Sequence, residues 1–196
     1  MALDRDLIVR TALRLLDDVG LEKLSLRRLA VELDAHPTAL YWHFGSKQEL
    51  LDAMGRAMIE SAAGTSAPGD SWQDWLAHLA RTQRRAVRSY RDGALLMMTA
   101  RPTVDPQVDY LDMLVGRLTS AGFSAQAAGA AFVAVSSYAL GAAFAEQQGK
   151  LEPYDVRTPA ADRSGVAAIA AAARDPDLAF ERGLAWLLAG LAADRA

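Results

Sequence analysis

The chain has 196 residues, of which 52% are hydrophobic and 23% charged, with a net charge of -3 at pH 7. That balance belongs to a folded chain of one large or two small domains and excludes an intrinsically disordered one. Cysteine is absent, which excludes disulfides and thiolate metal sites and points to a reducing, cytoplasmic home, while the surplus of negative charge argues against a general nucleic-acid binder but not a specific one.

Charges at Asp4, Arg5 and Asp6 leave no apolar stretch of the signal-peptide kind at the start. The spacing then predicts helices throughout, with no run of alternation long enough for a strand. A first helix spans about Asp4 to Val19, with Ile8, Ala12, Leu15, Leu16 and Val19 on one face and Gly20 as terminator. Ser25 is a good N-cap for a second, carrying Leu26, Leu29, Ala30 and Leu33, although Arg28 stands where a reciprocal capping box wants Glu. After Asp34-Ala35-His36, Pro37 opens a short third helix to Phe44, with Leu40 and Phe44 inward and Gly45 ending it. Ser46-Lys47-Gln48-Glu49 is a capping box for a fourth, striped by Leu50, Leu51, Met54 and Met58.

The stretch Gly64 to Asp70 reads as a loop. Ser71 caps a fifth helix to about Tyr90, broken by Arg91-Asp92-Gly93, and a short sixth runs to Ala100 before Arg101-Pro102. A seventh covers Val104 to Ala121, Gly122 stops it, and Ser124 caps a long eighth to Gln148. The segment from Gly149 to Ser164 reads as a loop, with two further helices from about Gly165 and Asp175. From Ala127 to Ala145 no side chain is charged, which approaches transmembrane length. Its Ala, Gly and Ser content and the absence of flanking cations read instead as a helix buried in protein, with no membrane partner.

Two short helices joined by a three-residue turn form a helix-turn-helix arrangement between Ser25 and Lys47. With Leu40 and Phe44 inward, Thr38, Ala39, Tyr41 and Trp42 fall on the outer arc and His43 on a flank. Exposed aromatics on a short helix suit thymine methyls, base edges and backbone in a major groove. The alternative is that Tyr41 and Trp42 pack on the first or fourth helix, and that His43 is an ordinary surface histidine. Arg27 suits a guanine edge, with Arg28 beside it, and Ser25 and Lys47 sit at helix starts where phosphates are held.

On these residues the segment TALRLLDDVGLEKLSLRRLAVELDAHPTALYWHFGSKQELLDAM resembles the DNA-binding domain of the TetR family, with LYWHFGSKQELLDA the most specific part. The resemblance implies that Arg27, Pro37, Thr38, Tyr41, Trp42, His43 and Lys47 occupy operator-contacting positions. It extends through SWQDWLAHLA, SYRDGALLM, TARPT, AGFS and ALGAAFAEQQ, which are similar to the tetracycline-repressor branch. The implied fold is all-α: a helix-turn-helix domain over residues 1–46, a connecting helix over 47–63, and a ligand-binding and dimerisation domain over 64–196. The implied partners are double-stranded operator DNA, a small-molecule effector and a second copy, joined through the eighth and last helices.

The sequence supports the dimer independently, because GLAWLLAGLAA is apolar nearly all round and needs cover, although a core within the chain is the alternative. Tetracycline repressors hold a drug–magnesium chelate with histidine, asparagine, glutamine and glutamate side chains, and the matching positions here are Met97, Leu79, Leu114 and Ala145. None ligates magnesium, so no metal and no cofactor is expected. Leu79, Met97, Met98, Ala100, Leu114 and Phe144 would instead line an apolar pocket with Gln83 as a polar contact, the methionine pair having ordinary core as its alternative. The basic face of the fifth helix, His78, Arg81, Arg85 and Arg88 with Arg84 beside it, reads as solvated.

Three histidines, at 36, 43 and 78, form no catalytic set, and no phosphate loop or HExxH motif appears, so an enzyme is not expected. The family implies a repressor released when its ligand shifts the short helix ending at Arg101-Pro102-Thr103 and swings the fourth. The alternative is a ligand-independent architectural DNA binder or an activator.

Overall fold

The computed structural model describes residues 3–63, 71–101, 104–149 and 164–193, and among these every regular element is a helix. In chain order they are α1 (Arg5–Val19), α2 (Leu26–Glu32), α3 (Pro37–His43), α4 (Lys47–Ala63), α5 (Trp72–Arg88), α6 (Gly93–Thr99), α7 (Val104–Ser120), α8 (Ala125–Gln147), α9 (Ser164–Ala173) and α10 (Pro176–Ala193). The expected loops from Gly64 to Asp70 and from 150 to 163, and Pro102-Thr103, lie outside the described residues.

Local chemistry fixes the starts. The oxygens of Asp4, Ser25, Ser46, Ser71, Ser124 and Asp175 each accept from the amide three residues on, at 2.7, 3.2, 3.1, 3.1, 3.1 and 2.9 Å, answering first-turn donors that have no partner inside the helix. One box differs from expectation. Glu49 Oε2 accepts from the amide of Gly45 at 2.9 Å, reaching one residue beyond the cap. Helix α3 also stops earlier, at His43, because Phe44 turns extended (φ -135) while keeping its ring wholly buried.

The helices divide into two compact units. One comprises α1–α4, the end of α5 from Thr82, α6 and the start of α7 as far as Leu111; the other comprises α5 as far as Arg81 and the chain from Asp112 through α10. In this grouping α6 joins the N-terminal helices. The reason is tertiary. The amide of Leu21 donates to Asp92 Oδ2 at 2.9 Å and that of Arg91 to Asp17 Oδ1 at 2.7 Å. Gly20, at φ 77, leaves room for this, since a Cβ there would lie 2.8 Å from the Asp92 carboxylate.

In the first unit Ile8, Leu16, Leu29, Leu40, Phe44 and Leu50 are wholly buried. In the second, Trp72 meets Phe123 edge-on with ring centroids 4.9 Å apart, and the Arg117 guanidinium lies 5.2 Å from the centroid of Trp75. Helix α8 packs on α10 through Tyr138, which stacks on Phe180 and donates to its carbonyl at 2.9 Å. The buried side of α8 is an alanine-rich stripe, Ala128, Ala131, Val135, Ala139 and Ala143. Among the described residues α8 is the one helix long and apolar enough to cross a membrane, and 28% of its most apolar window is buried. The opposite face, Gln126, Ala130, Val133, Ser137 and Gly141, is exposed in the single chain.

Candidate nucleic-acid interface

The surface expected to face DNA is built on α2 and α3. Leu26, Leu29 and Leu40 go inward, and that leaves Arg27 and Arg28 exposed on α2 and Thr38, Tyr41 and Trp42 exposed on α3. Trp42 is 89% exposed and Tyr41 55%. Neither packs into the core of the unit. Pro37, Ala39 and His43 are half-buried on the same short helix, and Lys47, at the first position of α4, and Ser25, at the cap of α2, are exposed. Two helix starts, each with a hydroxyl cap, thus accompany three cations and two aromatic rings, the donor set that phosphates and base edges require.

Arg5 fastens the far end of α3. Its guanidinium donates to the His43 carbonyl and to Glu49 Oε1 at 3.0 Å, and lies 4.2 Å from the centroid of the Phe44 ring. The Gly45 amide and then Arg5 hold the Glu49 carboxyl below its ordinary range.

His36 escaped sequence reasoning. Its backbone is extended, and its ring Nδ1 accepts from the Thr38 amide at 3.4 Å and also meets the Thr38 hydroxyl, so an exposed imidazole caps α3. Histidine is not among the favoured caps, and its only sequence signal was its place before Pro37.

The expected effector residues fall in both units. Leu79 and Leu114 are buried and Phe144 half-buried in the second. In the first, Gln83, Met97 and Ala100 are half-buried and Met98 is 61% exposed. Met97 and Ala100 lie together against Gly55 of α4. The basic face of α5 is not uniformly solvated as expected. Arg84 is buried, and Arg81 makes a two-pronged pair with Glu181 at 2.8 and 2.6 Å, which raises its pKa. Arg85 and Arg88 remain exposed.

Comparison with known proteins bears on this geometry. Residues 8–54 match the family model "Bacterial regulatory proteins, tetR family", and residues 65–195 match "Tetracyclin repressor-like, C-terminal domain". The chain is 39% identical to the tetracycline repressor protein class C of Escherichia coli, with 96% of this chain and 90% of that protein covered. A TetR variant from Acinetobacter baumannii AYE, solved in complex with minocycline, is similar at a TM-score of 0.82 and 33% identity, covering 100% of this chain and 99% of that one. ActR from Streptomyces coelicolor, in complex with (S)-DNPA, is similar at a TM-score of 0.83 and 28% identity, covering 99% and 100%.

Proposed function

The chain belongs to the TetR family of bacterial regulatory proteins, DNA-binding transcriptional regulators and not enzymes, and on that premise we propose that it is a repressor that binds a near-palindromic operator as a homodimer and is released by a small, largely apolar effector. The observation that carries the reading is Trp42, 89% exposed beside Tyr41, on a helix whose inner pair Leu40 and Phe44 is wholly buried. Such a rigid outward aromatic face is costly in water and is relieved in a major groove. Ser25, Arg27, Arg28, Pro37, Thr38, Ala39, Tyr41, Trp42, His43 and Lys47 form the proposed contact surface, with phosphates at the starts of α2 and α4 and bases under α3.

The proposed dimer uses α8 and α10. The exposed side of α8 carries small residues that permit close helix approach, and Trp186 of α10 is 74% exposed in the single chain. Cover of these faces by a second copy would set two reading helices about one DNA turn, roughly 34–36 Å, apart. A regulator of this kind acts in the cytoplasm, where the DNA is.

A relative binds minocycline. The positions that match the branch's magnesium-chelate ligands are Met97, Leu79, Leu114 and Ala145 here, and these side chains supply no oxygen donor. The chelate does not fit these side chains. The proposed effector is apolar with few hydrogen-bonding groups, met by Leu79, Gln83, Met97, Met98, Ala100, Leu114 and Phe144. It releases DNA by binding the non-operator state better, since a ligand indifferent to the two states shifts nothing. Helix α6 is the proposed carrier of that shift to α4.

The test is in vitro selection of bound duplexes from a random pool at fixed salt. Recovery of one near-palindromic sequence with half-sites a turn apart is expected. Recovery of no sequence by the folded dimer would overturn the reading.

A further inference from the structure

Helix α6 lies antiparallel along α4, and the contacts that hold it fall on one face of α4. Gln48 Nε2 donates to the Thr99 carbonyl at 2.8 Å and to Asp52 Oδ1 at 2.8 Å. That same Asp52 oxygen accepts from the Arg101 amide at 2.7 Å. Gln48, Asp52 and Gly55 recur at i, i+4 and i+7, the spacing of a single helical face. Further along, Met58 Cε lies 3.0 Å from where Gly93 would carry a Cβ. The two hydrogen bonds from Gln48 and Asp52 thus serve the carboxyl end of α6, whose last carbonyls and following amide have no partners within the helix.

Past these polar contacts, on the side toward Met58, the spacing is set by Gly55. It is buried in the middle of α4, where glycine weakens a helix relative to alanine. A Cβ there would lie 3.0 Å from Ala100 Cβ and 3.3 Å from Met97 Sδ. Both distances are tighter than ordinary contact, and the nearer neighbour is a short, stiff methyl that has no rotamer with which to yield. One added methyl would therefore push α6 from α4 by tenths of an ångström at the point where Met97 and Ala100 rest, and would strain the Asp52 and Gln48 hydrogen bonds about one and two turns before it.

We infer that Gly55 is a positioning residue for operator binding: by letting Met97 and Ala100 settle on α4 it fixes the α4–α6 spacing, and with Gln48 and Asp52 it makes the pose of the reading head follow α6. The inference rests on the regulator reading above. Gly55 touches no DNA; it acts through the seam.

The experiment moves one methyl across the seam. Gly55→Ala adds it to α4, and Gly55→Ala with Ala100→Gly removes its counterpart from the end of α6. Affinity is measured for an operator duplex selected with the wild-type protein, beside melting temperature and hydrogen exchange of the Leu96–Arg101 amides. Gly55→Ala is expected to bind the duplex about tenfold more weakly, within the usual range of coupling between sites, with a melting temperature near wild type because alanine favours the helix. Its α6 amides should exchange faster, and the double variant should recover both affinity and exchange. Wild-type affinity in Gly55→Ala, or a loss that the double variant fails to recover, would overturn the inference. If the wild type selects no duplex, the regulator reading falls, and the seam is judged by exchange alone: unchanged α6 exchange in Gly55→Ala overturns it.

Discussion

The amide of Leu21 donates to Asp92 Oδ2 at 2.9 Å, so the loop after α1 is fastened to the turn that opens α6. Asp92 stands at the N-cap of α6 in the left-handed region (φ 55) and makes no side-chain cap of its own. Its carboxylate serves the loop after α1 instead. Asp92→Ala leaves the buried Leu21 without that acceptor and forces alanine into a left-handed conformation, so it is expected to lower unfolding free energy by about 1–3 kcal/mol. Asp92→Asn keeps a carbonyl acceptor and tolerates that backbone, and should cost less than half as much. Urea titrations of the two variants check this. Equal losses would mean that the charge, and not the acceptor, holds the clamp.

Trp42 and Leu40 are near neighbours on α3 with opposite fates, 89% and 0% exposed. Trp42→Ala should leave stability within about 0.5 kcal/mol, as exposed substitutions do, and weaken operator binding by about 1–3 kcal/mol. Leu40→Ala should cost about 2–5 kcal/mol of stability through the cavity it leaves. Paired melting and DNA-binding measurements separate the two. A Trp42→Ala protein that binds the selected duplex like wild type would remove Trp42 from the contact surface.

Much of this was legible in the sequence, because helix starts are local. A serine at 25, 46, 71 or 124 needs only the amide three residues on, and the spacing of Leu40 and Phe44 is set within one turn. What escaped depends on distant partners. The membership of α6 in the N-terminal unit rests on Asp92 meeting Leu21 and Asp52 meeting Arg101, contacts between segments far apart in the chain. The burial of Arg84 follows from tertiary packing that residue periodicity on α5 does not encode. The cap by His36 needed a ring orientation that residue type does not specify.

Glu49 provides a pH handle. The Gly45 amide first and Arg5 second favour its ionised form, and its folded pKa lies below the ordinary 4.5. A depressed carboxylate contributes stability that is present above its unfolded pKa and lost as pH falls through the folded one. Stability should therefore decline below about pH 4.5 more steeply in the wild type than in Glu49→Gln, whose neutral amide has no such titration. The group is partly exposed, so high salt should shrink the Arg5 share of the difference. Parallel acid limbs for the two proteins, measured by urea unfolding at several pH values, would show that the pair contributes nothing.

Leu79, Met97, Leu114 and Ala145 supply no magnesium donor, so magnesium with tetracycline is expected to leave the melting temperature unchanged. A dose-dependent rise would mean that other side chains hold the chelate.

The exposed faces of α8 and α10 give the last prediction. Val133 and Trp186 are 60% and 74% exposed, and Gly129, Gly141 and Gly190 have open space where a Cβ would stand. A second copy seated there would bury apolar surface and small residues together, as two-fold interfaces do. Trp186→Glu places a charge where that contact would be dry, and an unpaired charge in such a place is strongly unfavourable. The variant should sediment as a monomer at micromolar concentration while keeping its helical content, since Trp186 contributes little to the core of its own chain. Operator binding should fall with it, because two linked half-sites bind far more tightly than one. A Trp186→Glu protein that remains a dimer would move the interface off this part of α10, and a monomer that still binds the full operator with wild-type affinity would separate DNA recognition from dimerisation altogether.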